Sequence, residues 1–333
     1  MSTRPLINTM PTYLITGAAG LVGPALAARL LEDPDNKVIL TDLIKPSVPA
    51  GAAHPENAQL VEADLTKQEA VDSLVATATK DKPLTAAFVF HGIMSGASEA
   101  NPALAQRVNV DTVRNLLFRL ADVQRGVRVI FSSSNAVYGQ PLPDIVTEAT
   151  TPTPNGVYGA CKYQMEILVN DMNRRGLIDA FSVRFPTIVV RPGAPAPAAS
   201  AFLSGVIREP MNGVVCKLPL RDRQFKATLC SPRVCIENLV RIVAWPTNKL
   251  PSHQRAINFP GIISSVQDLL DALENVGGED KLQYVVDEPN AAYETILRSW
   301  AWNLDYSKPV ELGLLQDVDT EGLVREYVAT LKK

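Results

Sequence analysis

The stretch "TYLITGAAGLVG" at residues 12–23 decides the fold, because it joins an apolar strand to the head of a helix through three spaced glycines, Gly17, Gly20 and Gly23. Glycines at this spacing permit a tight turn, let backbone amides approach a pyrophosphate and allow close packing of helix on strand. The helix N-terminus adds partial positive charge. A turn whose glycines serve packing alone is the alternative, but the strand and helix around it favour a dinucleotide site.

An acidic residue ends the second apolar run, "KVILTD" at 37–42, about 20 residues beyond the glycines. At that place the carboxylate of Asp42 accepts hydrogen bonds from the adenosine ribose hydroxyls and repels a 2′-phosphate. Lys45 lies three residues further on and partly offsets this repulsion. We therefore predict NAD as the cofactor, with NADP less favoured.

Apolar strands and helical patterns alternate along the first 190 residues. Runs that are apolar throughout indicate a parallel sheet buried between helix layers, so we predict an α/β, Rossmann-type doubly wound sheet. The predicted strands are 12–17, 37–42, 86–92, 127–134 and 180–190, and the predicted helices are 21–32, 67–79, 103–125 and 157–175.

The alternation weakens after residue 190, where "RPGAPAPAASAF" (191–202) predicts a loop. A strand at 255–261 and helices at 264–278, 290–300 and 320–331 follow. We predict an NAD-binding domain over 1–190 with a return segment near 228–260. Residues 191–333 form mainly a smaller C-terminal α/β lobe that binds substrate.

Composition narrows the partners. In 333 residues the net charge is −3, which gives no footprint for nucleic acid or an anionic membrane and favours a small-molecule substrate. The four cysteines show no CxxC spacing, so we predict reduced thiols, no disulfide and no metal site. The leader "MSTRPLINTMP" has no apolar run, and no segment is long enough to span a bilayer. We expect a cytoplasmic protein.

A tyrosine and a lysine stand four positions apart in "VYGACK" (157–162), so Tyr158 and Lys162 share one helix face. A neighbouring ammonium stabilises a phenolate and lowers its pKa, and the same cation can reach the nicotinamide ribose. Upstream, "FSSSNAVYG" (131–139) ends a strand with three serines whose hydroxyls can bind a substrate oxygen. Alone, such a pair is more often a surface pair; on a dinucleotide fold with these serines it favours catalysis.

Together, "TGAAGLVG", "FSSSNAVYG" and "VYGACK" resemble the extended short-chain dehydrogenase/reductases, the group of nucleotide-sugar epimerases and dehydratases, and the resemblance covers essentially the whole chain. "ADL" (63–65), "RVNVDT" (107–112) and the lead-in "TEATTPTPNGVYG" belong to it. It implies Tyr158 as the base, Lys162 as its partner and Ser134 as the substrate-side hydroxyl, with Ser133 as its nearest substitute. The cofactor contacts it implies are Gly17, Gly20, Leu21, Val22, Gly23, Asp42, Asp64, Leu65, His91, Gly92, Ser95, Asn109, Ser132, Tyr158, Lys162, Pro186 and Thr187.

Segments 93–117, 184–213 and 231–240 look like the D-erythronate dehydrogenase branch of that group, whose members oxidise a four-carbon sugar acid. Where the branch usually has "HLAA", this chain has only "HG" at 91–92, which can reshape the pocket. "RQFKATLCSPR" (223–233) only partly matches the nucleotide-sugar pattern, so a bulky uridine-diphosphate ligand is less expected.

Arg191 and Arg208 flank the loop of small residues and can bind a carboxylate through charge-assisted hydrogen bonds. The alternative for both arginines is that they form surface or interdomain salt bridges. The alternative for the polar loop residues is that they hydrogen-bond nearby backbone groups. His91 has no partner for a relay and is interpreted as structural. The predicted substrate contacts are Ser95, Ser134, Arg191, Ser200, Phe202 and Arg208.

The sequence thus predicts an NAD-dependent oxidoreductase that interconverts a secondary alcohol and a ketone on a small polyol or sugar acid. An epimerase with tightly held NAD, a broad-range or biosynthetic ketoreductase and a cofactor-binding regulator are the alternatives. By resemblance, helices 103–125 and 157–175 would pair into a four-helix bundle, so we expect a homodimer.

Overall fold

The apolar runs become strands and the amphipathic runs become helices in a computed structural model that describes residues 10–193 and 199–331. Residues 194–198 of the predicted loop lie outside the described residues. In chain order the elements are β1 Thr12–Thr16, α1 Val22–Leu30, β2 Lys37–Asp42, β3 Ala58–Glu62, α2 Gln68–Thr79, β4 Ala86–Val89, α3 Ser95–Ala100, α4 Pro102–Gln106, α5 Thr112–Val123, β5 Val127–Ser134, α6 Val157–Arg174, β6 Ile178–Phe185, β7 Thr187–Ile188, α7 Ala201–Met211, β8 Cys216–Leu218, β9 Lys226–Cys230, α8 Pro232–Val243, β10 Ala256–Asn258, β11 Ile262–Ser265, α9 Val266–Gly277, β12 Val285–Asp287, α10 Ala291–Arg298, α11 Ser307–Glu311 and α12 Thr320–Leu331.

Within the described ranges, seven strands form one parallel sheet in the order β3-β2-β1-β4-β5-β6-β10. The order is that of a doubly wound nucleotide-binding sheet with β10 added at its edge. This confirms the predicted fold class. The strand β3, "AQLVE", was not among the predicted strands, because its residues are only partly buried and carry polar side chains.

Side chains alternate between the two faces of this sheet, and helices cover both. Ile15 and Leu40 pack in one apolar cluster with α1 and α8. Leu14 and Ile39 pack in a second cluster with α2, α5 and α6. Burial on both faces is why the strands read as continuous apolar runs.

The predicted strand 180–190 is in fact two strands, because β6 ends at Phe185 and β7 begins at Thr187, after Pro186. β6 stays in the large sheet, whereas β7 pairs with β9 in a smaller sheet of order β11-β9-β7. β8 and β12 pair separately, and α7, α9 and α12 pack with them around a third apolar cluster that includes Leu203, Leu269 and Val324. The sheet change at Pro186 carries the chain from the large sheet into the lobe.

The predicted helix 103–125 is α4 and α5 joined by a π-helical turn at Arg107–Asp111. The helix α6 matches the predicted 157–175 to within one residue. All four cysteines are unpaired and buried. No helix among the residues described is both long and apolar enough to cross a membrane.

Candidate active site

A cleft of about 920 Å³ opens at the carboxyl end of the large sheet, where β1, β4 and β5 end and the lobe begins. This is the edge at which doubly wound sheets bind ligands. The cleft is lined by the glycine-rich turn, by Asp42, by the serines that end β5, by Tyr158 and Lys162, and by two arginines of the lobe.

The glycine turn folds as its spacing predicts. Gly17 has a φ of +70°, and a Cβ on it would lie 2.7 Å from the amide nitrogen of His91. A Cβ on Gly23 would lie 2.8 Å from the Cα of Ala18, so this glycine lets α1 pack on the turn. The first turn of α1 has no side-chain cap and no acidic residue. Its amides therefore fit an anionic pyrophosphate.

The carboxylate of Asp42 lies at the rim of the same turn. One oxygen accepts a hydrogen bond from the amide of Ala19 at 2.9 Å, and the other accepts from the amide of Leu43 at 2.7 Å. Asp42 therefore holds the glycine turn in place and presents negative charge to the cleft. This arrangement fits the ribose end of a dinucleotide.

The half-buried ring of His91 lies between two hydroxyls. Its Nδ1 lies 2.7 Å from Thr16 Oγ1 and its Nε2 lies 2.8 Å from Thr112 Oγ1. Because the Thr112 hydroxyl donates to Val108 O, the ring donates from Nε2 and accepts at Nδ1. Burial, and then the Lys162 charge, lower the His91 pKa to about 3. With both ring nitrogens engaged in this way, His91 connects the ends of β1 and β4 to Thr112.

Tyr158 lies in the first turn of α6 and Lys162 one turn further on. Lys162 is only 2% exposed, and its ammonium lies 3.2 Å from Ser132 Oγ and 5.6 Å from the centre of the Tyr158 ring. The Tyr158 hydroxyl has no hydrogen-bond partner among the described side chains and faces the cleft. It is free to bind a ligand.

The electrostatics of the pair differ from the expectation. Burial raises the pKa of Tyr158 to about 12, and the charge that opposes this rise is Arg191, not Lys162. Burial also lowers the pKa of Lys162 to about 8. Sequence spacing places Lys162 on the right helix face, but Arg191 comes from the lobe, which helix periodicity does not predict.

The three serines have three different partners. Ser132 Oγ donates to Val89 O and accepts from Lys162. Ser133 Oγ donates to Glu166 Oε1 at 2.5 Å and is thereby directed away from a substrate role. Ser134 Oγ accepts from the amide of Ala136, which leaves its own O–H available to the cleft. The geometry thus favours Ser134 over Ser133 as the substrate-side hydroxyl.

Two arginines of the lobe line the substrate end of the cleft. Arg191 Nε donates to Ile188 O at 3.0 Å, and its terminal nitrogens have no acceptor in the part of the chain that is described. Arg208 is committed to Arg191 O at 2.9 Å and to Glu209 Oε1 at 2.5 Å. Arg191 is therefore the cation available to an anionic ligand, and Arg208 holds the backbone that carries it.

Four predicted contacts do not line the cleft. The Asp64 carboxylate accepts from the amide and hydroxyl of Thr66, and Leu65 is buried in the core under the sheet. Asn109 is buried and holds both backbone groups of Ile93, and Phe202 packs in the lobe core. The remaining predicted contacts lie in the cleft wall: Gly17, Gly20, Leu21, Val22, Gly23, Asp42, His91, Gly92, Ser95, Ser132, Ser133, Ser134, Tyr158, Lys162, Pro186, Thr187, Arg191, Ser200 and Arg208.

The lobe adds a wall that sequence reasoning missed. Phe225, Lys226 and Thr228 of β9 and its approach line the cleft, and Trp300 lines it from beyond α10. The Lys226 ammonium lies 5.0 Å above the ring of Trp302. The position of Trp300 in the cleft depends on the fold of the lobe, which no local sequence motif predicts.

The fold and this cleft define a class of dinucleotide-binding protein. A model of the NAD dependent epimerase/dehydratase family matches residues 13–222, and the chain belongs to this family.

Two similar proteins are D-erythronate dehydrogenases. The one from Haemophilus influenzae is 31% identical over 318 residues, covering 95% of this chain and 98% of that protein. The one from Cupriavidus necator is 33% identical over 327 residues, covering 95% and 97%. The family and these dehydrogenases make the protein a nicotinamide-dependent oxidoreductase that acts on CH–OH groups.

Solved structures agree with the fold. A nucleoside-diphosphate-sugar epimerase from Agrobacterium tumefaciens superposes with a TM-score of 0.88 at 29% identity, covering 99% of this chain and 97% of that one. L-Threonine 3-dehydrogenase from Trypanosoma brucei superposes with a TM-score of 0.84 at 23% identity, covering 97% of each chain, and supports the fold alone.

Proposed function

We propose that this oxidoreductase interconverts a secondary alcohol and a ketone on a small sugar acid resembling D-erythronate, with NAD preferred over NADP. The observation that carries the proposal is that the Tyr158 hydroxyl and the terminal nitrogens of Arg191, which have no hydrogen-bond partner among the described residues, line one cleft with Ser134 and Lys162. A base, a hydroxyl donor and a cation for a carboxylate are then available to one small molecule.

Tyr158 is the base in this proposal. As the phenolate it takes the proton of the substrate hydroxyl, while Ser134 donates a hydrogen bond to the same oxygen. A nicotinamide cofactor held in this cleft would supply the hydride acceptor and, in its oxidised form, a positive charge beside Tyr158. Lys162, held by Ser132, keeps its ammonium near the tyrosine ring at neutral pH, because its pKa is about 8.

Arg191 recognises the acid. Its terminal nitrogens offer the planar, bidentate pattern that binds a carboxylate, and its Nε bond to Ile188 O fixes the direction of the fork. An uncharged alcohol leaves this half-buried cation unpaired, which disfavours such an alcohol as a substrate. This argument and the similarity to D-erythronate dehydrogenases support an acid of about four carbons.

The preference for NAD rests on Asp42. Its carboxylate is fixed by two amides and presents a negative charge where an adenosine ribose would lie. A ribose hydroxyl donates to this carboxylate, whereas a 2′-phosphate meets a like charge.

The test is a screen of four- to six-carbon sugar acids and simple ketones with NAD(H) and NADP(H), followed by the absorbance of the reduced cofactor. Stoichiometric NADH from a sugar acid is expected, together with little activity on the matching uncharged polyol. An epimerase would instead convert its substrate without net NADH and would retain cofactor through purification. Conversion of the substrate without net NADH contradicts the proposal. So does a screen in which no sugar acid is oxidised.

We also propose that two copies of this chain form a homodimer. Phe118 of α5 is 39% exposed and Ile167 of α6 is 54% exposed, so the outer faces of these neighbouring helices carry apolar groups. Pairing α5 and α6 of two copies would bury them. Sedimentation equilibrium of the wild type and of Ile167→Glu tests this: dimer for the former and monomer for the latter is expected, and a monomeric wild type contradicts it.

A further inference from the structure

The N-terminus of α6, the helix that carries Tyr158, is capped by a side chain from another helix. Tyr158 lies in the first turn of α6, so its position depends on how this helix starts. The N-cap residue is Gly156, which has no side chain, and the first turn contains no acidic residue. Instead, Glu99 of α3 accepts a hydrogen bond from the amide of Val157 at 2.6 Å.

Gly156 leaves the room for this contact. A Cβ on Gly156 would lie 2.7 Å from Glu99 Oε1. The φ of Gly156 is −144°, an extended backbone that any residue adopts. Space for the carboxylate, not backbone freedom, is therefore what this glycine provides.

Glu99 connects two walls of the cleft. The helix α3 begins at Ser95, and Met94 and Ser95 both line the cleft. At the start of this segment, Asn109 accepts from the amide of Ile93 at 2.8 Å and donates to its carbonyl at 3.0 Å. Segment 93–100 is thus fixed at one end by Asn109 and at the other by the start of α6.

We infer that Glu99 is a positioning residue that sets the spacing between the Ser95 wall and Tyr158. A carboxylate at a helix N-terminus satisfies an otherwise free amide and complements the helix dipole. Losing it leaves the amide of Val157 without its acceptor in the first turn, where the base lies. The inference rests on the proposed role of Tyr158.

The test compares Glu99→Ala and Glu99→Gln with Glu69→Ala, which removes an exposed glutamate from the first turn of α2. Glu99→Ala should lower kcat about tenfold, the scale of a lost helix cap, and leave the NAD dissociation constant unchanged. Glu99→Gln should restore most of kcat, because a carboxamide oxygen also accepts the amide of Val157. Glu69→Ala should behave as the wild type.

A double-mutant cycle with Gly156 sharpens the test. Gly156→Ala alone should lower kcat as Glu99→Ala does, because its Cβ displaces the carboxylate. In the Glu99→Ala background the same change should cost nothing further. Additive losses, normal kcat in Glu99→Ala or no rescue by Gln would overturn the inference.

Hydrogen exchange separates this inference from the proposed function. Exchange of the amides at the start of α6 should speed up in Glu99→Ala whether or not a substrate has been found. Unchanged exchange refutes the inference that Glu99 holds the start of α6. Faster exchange in an enzyme that oxidises no alcohol supports that inference and refutes the function proposed for Tyr158.

Discussion

The buried ion pair behind the site gives the sharpest stability prediction. Glu166 lies one turn beyond Lys162 on α6, and its carboxylate accepts from Arg184 Nε at 2.8 Å, Arg184 Nη2 at 2.6 Å and Ser133 Oγ at 2.5 Å. Burial lowers the pKa of Arg184, but the hydrogen bonds and charge of Glu166 outweigh it and raise that pKa overall. Arg184 also donates to the Tyr138 hydroxyl at 2.5 Å.

We predict that Glu166→Gln destabilises the fold by about 3–5 kcal/mol, the cost of leaving one buried charge unpaired. The side chains of the pair are only 2% and 4% exposed, so solvent cannot compensate. The change keeps the shape of the side chain but turns an amide donor toward the guanidinium. An apparent Tm lower by roughly 4–7 °C is expected.

The matched control is Glu237→Gln, which breaks the pair that Glu237 forms with Arg29 at 2.6 Å. Those side chains are 30% and 37% exposed, and surface pairs contribute about 0–1 kcal/mol. Thermal and urea unfolding of both variants, followed by circular dichroism, give the comparison. Equal small losses in the two variants would refute the reasoning from burial.

Three further changes test the cofactor and substrate ends of the cleft. Asp42→Ala should weaken NAD binding and narrow the preference over NADP, as measured by titrating both; an unchanged ratio contradicts the role of the carboxylate. Gly23→Ala should cost about 1–3 kcal/mol and weaken NAD binding, because its Cβ would lie 2.8 Å from Ala18 Cα; calorimetry measures both. Arg191→Gln removes the cation that opposes the rise of the Tyr158 pKa, so that pKa should rise and the pH of half-maximal oxidation should move upward. A pH profile that stays in place or moves downward contradicts the assignment of Arg191, and the variant should also raise KM for the acid.

Local patterns predict the large sheet well because each signal lies within a few neighbouring residues. The glycine turn, Asp42 and the Tyr158–Lys162 spacing are set by one turn or one helix face, and the structure has them as predicted. The exchange of sheets after Phe185 was missed because apolar residues continue through Pro186 into β7.

Long-range contacts explain what the sequence left out of the site. The charge of Arg191 acts on Tyr158, and Glu99 accepts a hydrogen bond from the amide of Val157. The residues of each pair are far apart in the sequence, so helix or strand periodicity does not predict either interaction. Ser133 and Ser134 are neighbours in the sequence, and the contact that engages Ser133 comes from Glu166, which lies on a different element, α6. Trp300 reaches the cleft only through the packing of the lobe.

The central claim is that the Tyr158 hydroxyl exchanges the proton of the substrate alcohol. The direct measurement is kcat of Tyr158→Phe with a sugar acid that the wild type oxidises, beside the NAD dissociation constant of both proteins. The account predicts a fall in kcat of at least about 10²-fold with NAD affinity unchanged, since the ring stays and only the hydroxyl is lost. A phenylalanine variant that turns over at the wild-type rate would contradict it.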